Sequence, residues 1–262
     1  MIKFIYVFVL SFTTLLYTGC SNNTLQIQSI EKSVKKIHKE DVFLDEFTDE
    51  MKVEKRADPF SGYNRIMTSF NDGLYEYVLA PLASGYKTIV YKKIRSSIGN
   101  FFHNTLYPIR LVNNLLQGKI KNSGEETLRF VINSTFGIVG LFDPAKSYFE
   151  LVAHDEDFGQ TLGYWGIGPG PHIVLPFLGP SNLRDTLSLY PDSLVNPVNY
   201  QESRHYNLTN NYGESLVLNA FSQVNYVSLH EGKYEELKKD AVDLYPFLRD
   251  VYEQYRKQQI KE

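Results

Sequence analysis

Four consecutive side chains, His154-Asp155-Glu156-Asp157, form the densest group of metal ligands and acid–base candidates in the chain. An imidazole beside three carboxylates suits a divalent ion or proton transfer. The same run also suits a helix N-terminus, where the backbone dipole favours negative charge. Arg184-Asp185, not far from His172, fits an ion pair or a site for a polar lipid headgroup. The glycine and proline run from Gly166 to Pro171 has the look of a phosphate-binding loop. Its two prolines remove amide donors, and no strand–loop–helix frame surrounds it. The sequence has no GxxxxGK[ST], no HExxH and no GxSxG. These residues therefore point to no catalytic group, no cofactor and no metal. One cysteine, Cys20, excludes an internal disulfide and a multi-cysteine metal site.

Cys20 has a more specific setting. Met1-Ile2-Lys3 is a short basic start, Phe4 to Leu16 is apolar apart from hydroxyls, and Gly19 immediately precedes the cysteine. This is the layout of a secretory signal peptide, with an apolar core shorter than the ~20 residues that span a bilayer. It resembles a bacterial lipoprotein signal, in which the cysteine thiol receives diacylglycerol; Tyr17 stands where Leu is usual. Each buried CH₂ contributes ~0.8 kcal/mol, so several acyl chains on Cys20 hold a protein on a membrane without a spanning helix. Ser21 after the cysteine fits export to the outer membrane.

Composition bounds the rest. A length of 262 residues fits one or two domains. With 43% hydrophobic and 22% charged residues, neither wholesale disorder nor a polytopic membrane protein is expected. The net charge of −3 gives no basic footprint for nucleic acid. Nineteen Tyr and 17 Phe suit either an aromatic core or surfaces that are half dry and half wet.

The elements that must position these groups read as helices. Residues 1–19 form the signal peptide, 20–57 a lipidated N-terminus and polar, flexible tether, and 58–262 a folded domain. Asp58-Pro59 predicts a helix start, with Phe60, Tyr63, Met67, Phe70, Leu74 and Tyr77 on one apolar face and Pro81 interrupting it. Val90, Ile94, Ile98 and Phe101 mark a second helix, with Arg95 among the polar intervening positions. A third runs from Ile109 to Leu116 and closes near Gly118. Ser123-Gly124-Glu125-Glu126 fits a capping box opening a fourth, and another spans Asp155 to Trp165. His172 to Pro180 is an apolar segment with Pro176 inside it, hence a loop or short hairpin. Ser181 caps a helix through Leu189, and two helices follow, 214–229 and 234–259. The fold class is all-α. The aromatic faces carrying Tyr63, Phe70, Tyr77, Phe101 and Phe130 suit a core or a membrane-facing surface.

Ordered blocks of residues carry a resemblance. They are Asp58-Pro59-Phe60-Ser61-Gly62-Tyr63-Asn64-Arg65 with Phe70-Asn71, then Pro108 with Leu111-Val112-Asn113-Asn114-Leu115-Leu116-Gln117-Gly118. Arg129-Phe130, Asn133-Ser134-Thr135, Gly140-Leu141-Phe142-Asp143 and Glu156-Asp157-Phe158-Gly159-Gln160-Thr161-Leu162-Gly163 follow. The last are Gly166-Ile167-Gly168-Pro169-Gly170-Pro171, Leu175-Pro176, Gly179-Pro180 and Leu183-Arg184-Asp185, with a weaker echo at Leu248-Arg249-Asp250 and Tyr252. In these blocks, from about 58 to 255, the chain resembles the VacJ/MlaA family of outer-membrane lipoproteins.

The resemblance implies a ring-like bundle of amphipathic helices, lipid-anchored on the periplasmic side of the outer membrane. Its channel passes mislocalised phospholipid from the outer leaflet to a periplasmic lipid carrier protein, which preserves lipid asymmetry. A trimeric outer-membrane porin is the implied membrane partner, and the activity is transport, not catalysis. The alternative reading is a structural lipoprotein that scaffolds porins or other envelope proteins. Gly166, Gly168 and Gly170 flank the apolar hairpin and are candidate hinges of a gate; a rigid packed turn is the competing expectation.

Overall fold

A computed structural model describes residues 58–262 apart from Asp240. The signal peptide, Cys20 and the tether lie outside the described residues.

Helix α1 (Ser61–Leu74) continues through one π-helical turn (Tyr75–Leu79) into α2 (Ala80–Ile89). Pro81 does not interrupt it. It falls in the first turn of α2, and the wide turn before it is closed by the Ala80 amide donating to the Tyr75 carbonyl. Placing the proline beside a π turn lets the backbone absorb the missing donor without breaking the helix. Asp58 is not the helix cap either. Phe60 holds that position, and the Asp58 carboxylate accepts instead from the Tyr245 hydroxyl and from Arg249 at 3.3 Å.

Helices α3 (Lys92–Thr105), α4 (Tyr107–Leu116) and α5 (Ile120–Thr135) follow. Gly118, at φ 72°, turns α4 into α5. The expected capping box lies inside α5: Ser123 Oγ donates to the Lys119 carbonyl at 3.0 Å, and the helix starts three residues earlier. Asp143 caps α6 (Pro144–Phe149) through the Lys146 amide at 3.0 Å, and Asp157 caps α7 (Phe158–Tyr164) through the Gln160 amide at 2.8 Å. The run 154–156 is not part of α7, because its side chains are drawn to other elements. Strands β1 (His172–Leu175) and β2 (Gly179–Asn182) form an antiparallel hairpin with His172 opposite Asn182 and Leu175 opposite Gly179. Asn182, not Ser181, caps α8 (Leu183–Val195), which runs on through Pro191. After α9 (Tyr212–Leu229), the expected last helix is two, α10 (Lys233–Lys239) and α11 (Leu244–Lys261). Pro246, in the first turn of α11, lacks the amide that would extend a helix from upstream.

The helices pack on their polar faces. Among the described residues, 11 buried side chains are apolar and 29 are polar or charged. That reverses the usual preference for what lies inside. On α1 the buried residues are Asn64 and Thr68, while Phe60, Tyr63, Ile66 and Phe70 are exposed. On α5 they are Ser123, Glu126, Arg129 and Asn133, with Leu128 and Val131 outside. Arg95, one of the polar positions between the apolar ones, is buried and donates to the carbonyls of Val90 and Ser228. The apolar stripes therefore face outward, and Tyr63, Phe70 and Tyr77 are exposed and not part of a core. A small apolar cluster, Leu106, Ile109 and Val198, remains inside. Among the described residues no helix is long and apolar enough to cross a membrane.

Candidate functional site

Asn64 and Asn71 stand two turns apart on one face of α1, and both amides grip β1. Asn64 Nδ2 donates to the His172 carbonyl at 3.0 Å and Asn64 Oδ1 accepts from the Val174 amide at 2.8 Å. Asn71 repeats the pattern with the Leu175 carbonyl at 2.9 Å and the Phe177 amide at 2.7 Å. A β1 edge that β2 does not pair is thus satisfied by side chains that mimic a third strand. At the tip, Phe177 has φ 67° and its ring meets Phe70 edge-on, centroids 5.2 Å apart.

The three candidate hinge glycines lie in the segment that leads into this hairpin. Gly166, at φ 86°, ends α7: its amide donates to the Gly163 carbonyl and the Ile167 amide to the Leu162 carbonyl. That bonding pattern is a Schellman helix stop, which requires the left-handed backbone glycine supplies. Gly168 has open space where a Cβ would stand. Gly170, at φ 70°, lies against Leu183, with 3.1 Å between an added Cβ and the Leu183 Cβ. The segment is bonded to the start of α8, since the Pro169 and Pro171 carbonyls accept from the Arg184 and Leu183 amides.

Arg184 and Asp185 belong to a buried cluster. Arg184 Nε donates to Asp185 Oδ1 at 2.9 Å. Arg256, from α11, donates to Asp185 Oδ2 at 2.9 Å and bidentately to Asp157 at 2.7 and 2.8 Å. The Tyr252 hydroxyl and the Asn182 amide complete the shell of Asp185 at 2.7 and 2.8 Å. Two guanidinium groups thus meet two carboxylates, so each buried charge has a counter-charge that offsets its desolvation. Burial alone would raise the Asp185 carboxyl, but Arg256, Arg184 and Tyr252 hold it at about 2. Asp157 is likewise lowered, Arg256 outweighing its burial. Nearby, burial and then the Asp157 charge push Asp192 up to about 7, although its carboxylate accepts from Asn113 Nδ2 at 3.0 Å and the Phe158 amide at 3.1 Å. The cluster ties α7, α8 and α11 together at the base of the hairpin, and both charges of the Arg184-Asp185 pair are engaged within the protein.

Gly159 is what allows this approach. A Cβ there would stand 2.4 Å from Asp185 Oδ1 and 2.6 Å from Arg256 Nη2. Gly159→Ala is expected to cost about 1–3 kcal/mol by forcing the ion pairs apart. Denaturant unfolding measures the loss, and faster proteolysis at α11 locates it.

The acidic run does not act as a unit. His154 Nε2 meets Glu125 at 2.6 Å, Asp155 meets His103 at 3.2 Å, and Glu156 accepts from Gln117 at 2.7 Å and Lys119 at 2.6 Å. Asp157 joins Arg256. Among the described residues no group of three or more His, Cys, Asp or Glu gathers around a metal-sized space. Arg110 and Glu126, paired at 2.6 Å and both buried, form a further internal bridge. Sequence reasoning passed over Arg256, Asp192 and Asn182 and placed Glu126 in a capping box; only the spacing of Arg256 one turn beyond Tyr252 hinted at the first.

The described residues thus place an apolar exterior over a cross-linked polar interior. The profile of the MlaA lipoprotein family matches residues 56–259. A Rickettsia felis protein is 34% identical over 207 residues, which cover 78% of each chain. A Rickettsia typhi protein is 38% identical over 152 residues, 58% of this chain and 60% of that one. The intermembrane phospholipid transport system lipoprotein MlaA of Escherichia coli (strain K12) is 35% identical over 133 residues, 50% of this chain. The match spans 60% of the length of the Rickettsia typhi relative and 53% of the Escherichia coli one. A solved structure concerned with maintenance of bacterial outer membrane lipid asymmetry aligns with TM-score 0.66 at 29% identity, covering 78% of this chain and all of that one.

Proposed function

Because this chain belongs to the MlaA lipoprotein family, we propose that it is an envelope lipoprotein that carries phospholipid between membranes. In this reading it removes phospholipid misplaced in the outer leaflet of the outer membrane and delivers it to a periplasmic carrier. Cys20 is the acylated anchor that holds the chain on the periplasmic side, and a trimeric porin is its membrane partner. The observation that supports this most is the outward placement of the apolar helix faces over a polar interior. A two-chain phospholipid has roughly thirty CH₂ groups, so exposing it to water costs on the order of 20–25 kcal/mol at ~0.8 kcal/mol each. A path for it needs an apolar wall for the tails and polar groups for the headgroup, the two materials that this fold segregates. The hairpin is the gate of that path, with Gly166, Gly168 and Gly170 flexing its lead-in and the Asn64 and Asn71 amides holding it shut.

The test is deletion of the chain followed by measurement of outer-leaflet phospholipid. The expected result is accumulation there, reversed by the intact chain and not by Cys20→Ser. An unchanged outer leaflet sinks the reading.

A further inference from the structure

The charges of this chain are segregated. Between Glu76 and Glu125 there is no carboxylate, and the segment holds seven Lys and Arg. That is a formal +7 within a chain of −3, leaving −10 elsewhere. Five of the seven are engaged: Lys87 with Glu231, Lys119 with Glu156, Lys121 with Glu125, Arg110 with Glu126, and Arg95 with backbone carbonyls. Lys92 and Lys93 are exposed and make no hydrogen bond or ion pair with another described residue. They adjoin Ile89 and Tyr91, each 81% exposed, and the half-exposed Ile94.

We propose that this turn between α2 and α3 docks on the headgroups of anionic phospholipid at a membrane surface. The inference rests on the transport reading and adds a lipid preference to it. An exposed Ile and Tyr beside two exposed ammonium groups match an interface in which the apolar atoms enter the acyl boundary and the lysines meet phosphate. Neutral lipid satisfies the apolar half alone. With the other cations of the segment engaged within the chain, Lys92 and Lys93 supply the positive charge that turns this end of the molecule toward a negative surface.

The full chain, purified from its membrane fraction, is placed in nanodiscs of phosphatidylcholine with or without phosphatidylglycerol. Amine acylation is then read residue by residue by mass spectrometry, with Lys257 and Lys261 on α11 as references. Labelling of Lys92 and Lys93 is expected to slow about fivefold with phosphatidylglycerol, and the difference to vanish at high salt. In the Lys92→Gln/Lys93→Gln chain, phosphatidylglycerol no longer outcompetes phosphatidylcholine among the lipids retained. Equal labelling in both nanodiscs overturns the proposal, as does equal protection by inorganic phosphate in neutral nanodiscs. The transport reading is judged separately, by the deletion strain: if its outer-leaflet phospholipid is unchanged, that reading falls whatever the labelling shows.

Discussion

Arg256→Met is expected to lower the unfolding free energy by about 3–5 kcal/mol, the cost of leaving buried carboxylates without their counter-charge. Arg256 pairs with both Asp157 and Asp185, and it also joins α11 to α7 and α8. Methionine keeps the length of the stem but removes every donor. For a domain of this size the midpoint of thermal unfolding falls by on the order of 10 °C. Circular dichroism in mild detergent measures it, and a loss below about 1 kcal/mol contradicts the assignment. Adding Asp157→Asn and Asp185→Asn to the same chain restores part of the loss, since the stranded charges go with them. The acid limb supplies an independent check. The folded Asp185 carboxyl, at about 2, lies below its unfolded value of about 3.9. Its contribution is complete above the unfolded value and is lost as pH falls through about 2. Arg256→Met therefore flattens stability against pH in that window.

The second large effect concerns the hairpin. Asn64→Ala strands the His172 carbonyl and the Val174 amide; Asn71→Ala strands the Leu175 carbonyl and the Phe177 amide. Each buried group that loses its partner costs about 1–3 kcal/mol, and the part-buried Leu175 and Phe177 groups cost less, so the double variant loosens β1 by several kcal/mol in local terms. Hydrogen exchange at Val174 and Phe177 is expected to quicken about tenfold for each 1.4 kcal/mol lost. If the hairpin closes the lipid path, phospholipid passage in the double variant rises rather than falls. Unchanged passage with faster exchange removes the gate and leaves the hairpin a packed turn. Asn71→Asp is the finer probe, because it still accepts from the Phe177 amide but no longer donates to the Leu175 carbonyl.

Much of this was legible in the sequence, and the gaps share a cause. The periodicity of Phe60, Tyr63 and Phe70 identified the apolar stripe of α1 correctly, yet periodicity does not say whether a stripe meets a core or a bilayer. The interior excludes the core: Asn64 and Thr68, between the apolar positions, are the buried ones, and the stripe lies outside. Local rules failed where a distant partner competed for a capping side chain. Asp58 was taken by Tyr245 and Arg249, and Glu126 by Arg110, each far away in sequence. They succeeded where no such partner interfered, as at Gly118. Arg184-Asp185 stood out as a charged pair, but its meaning came from Arg256, 71 residues beyond Asp185. Nothing in an asparagine's neighbourhood announces that its amide will serve as strand backbone, so Asn64 and Asn71 entered only as parts of a resemblance.

The polar interior changes how such a molecule travels. An ordinary globule is held by the aversion of its core for water and relaxes that grip on entering hydrocarbon. Here the cement is made of amides and ion pairs, whose attraction strengthens as the surrounding medium becomes less polar. If the chain works at a membrane, as proposed, it can pass from water into a greasy medium and arrive more tightly knit than it left.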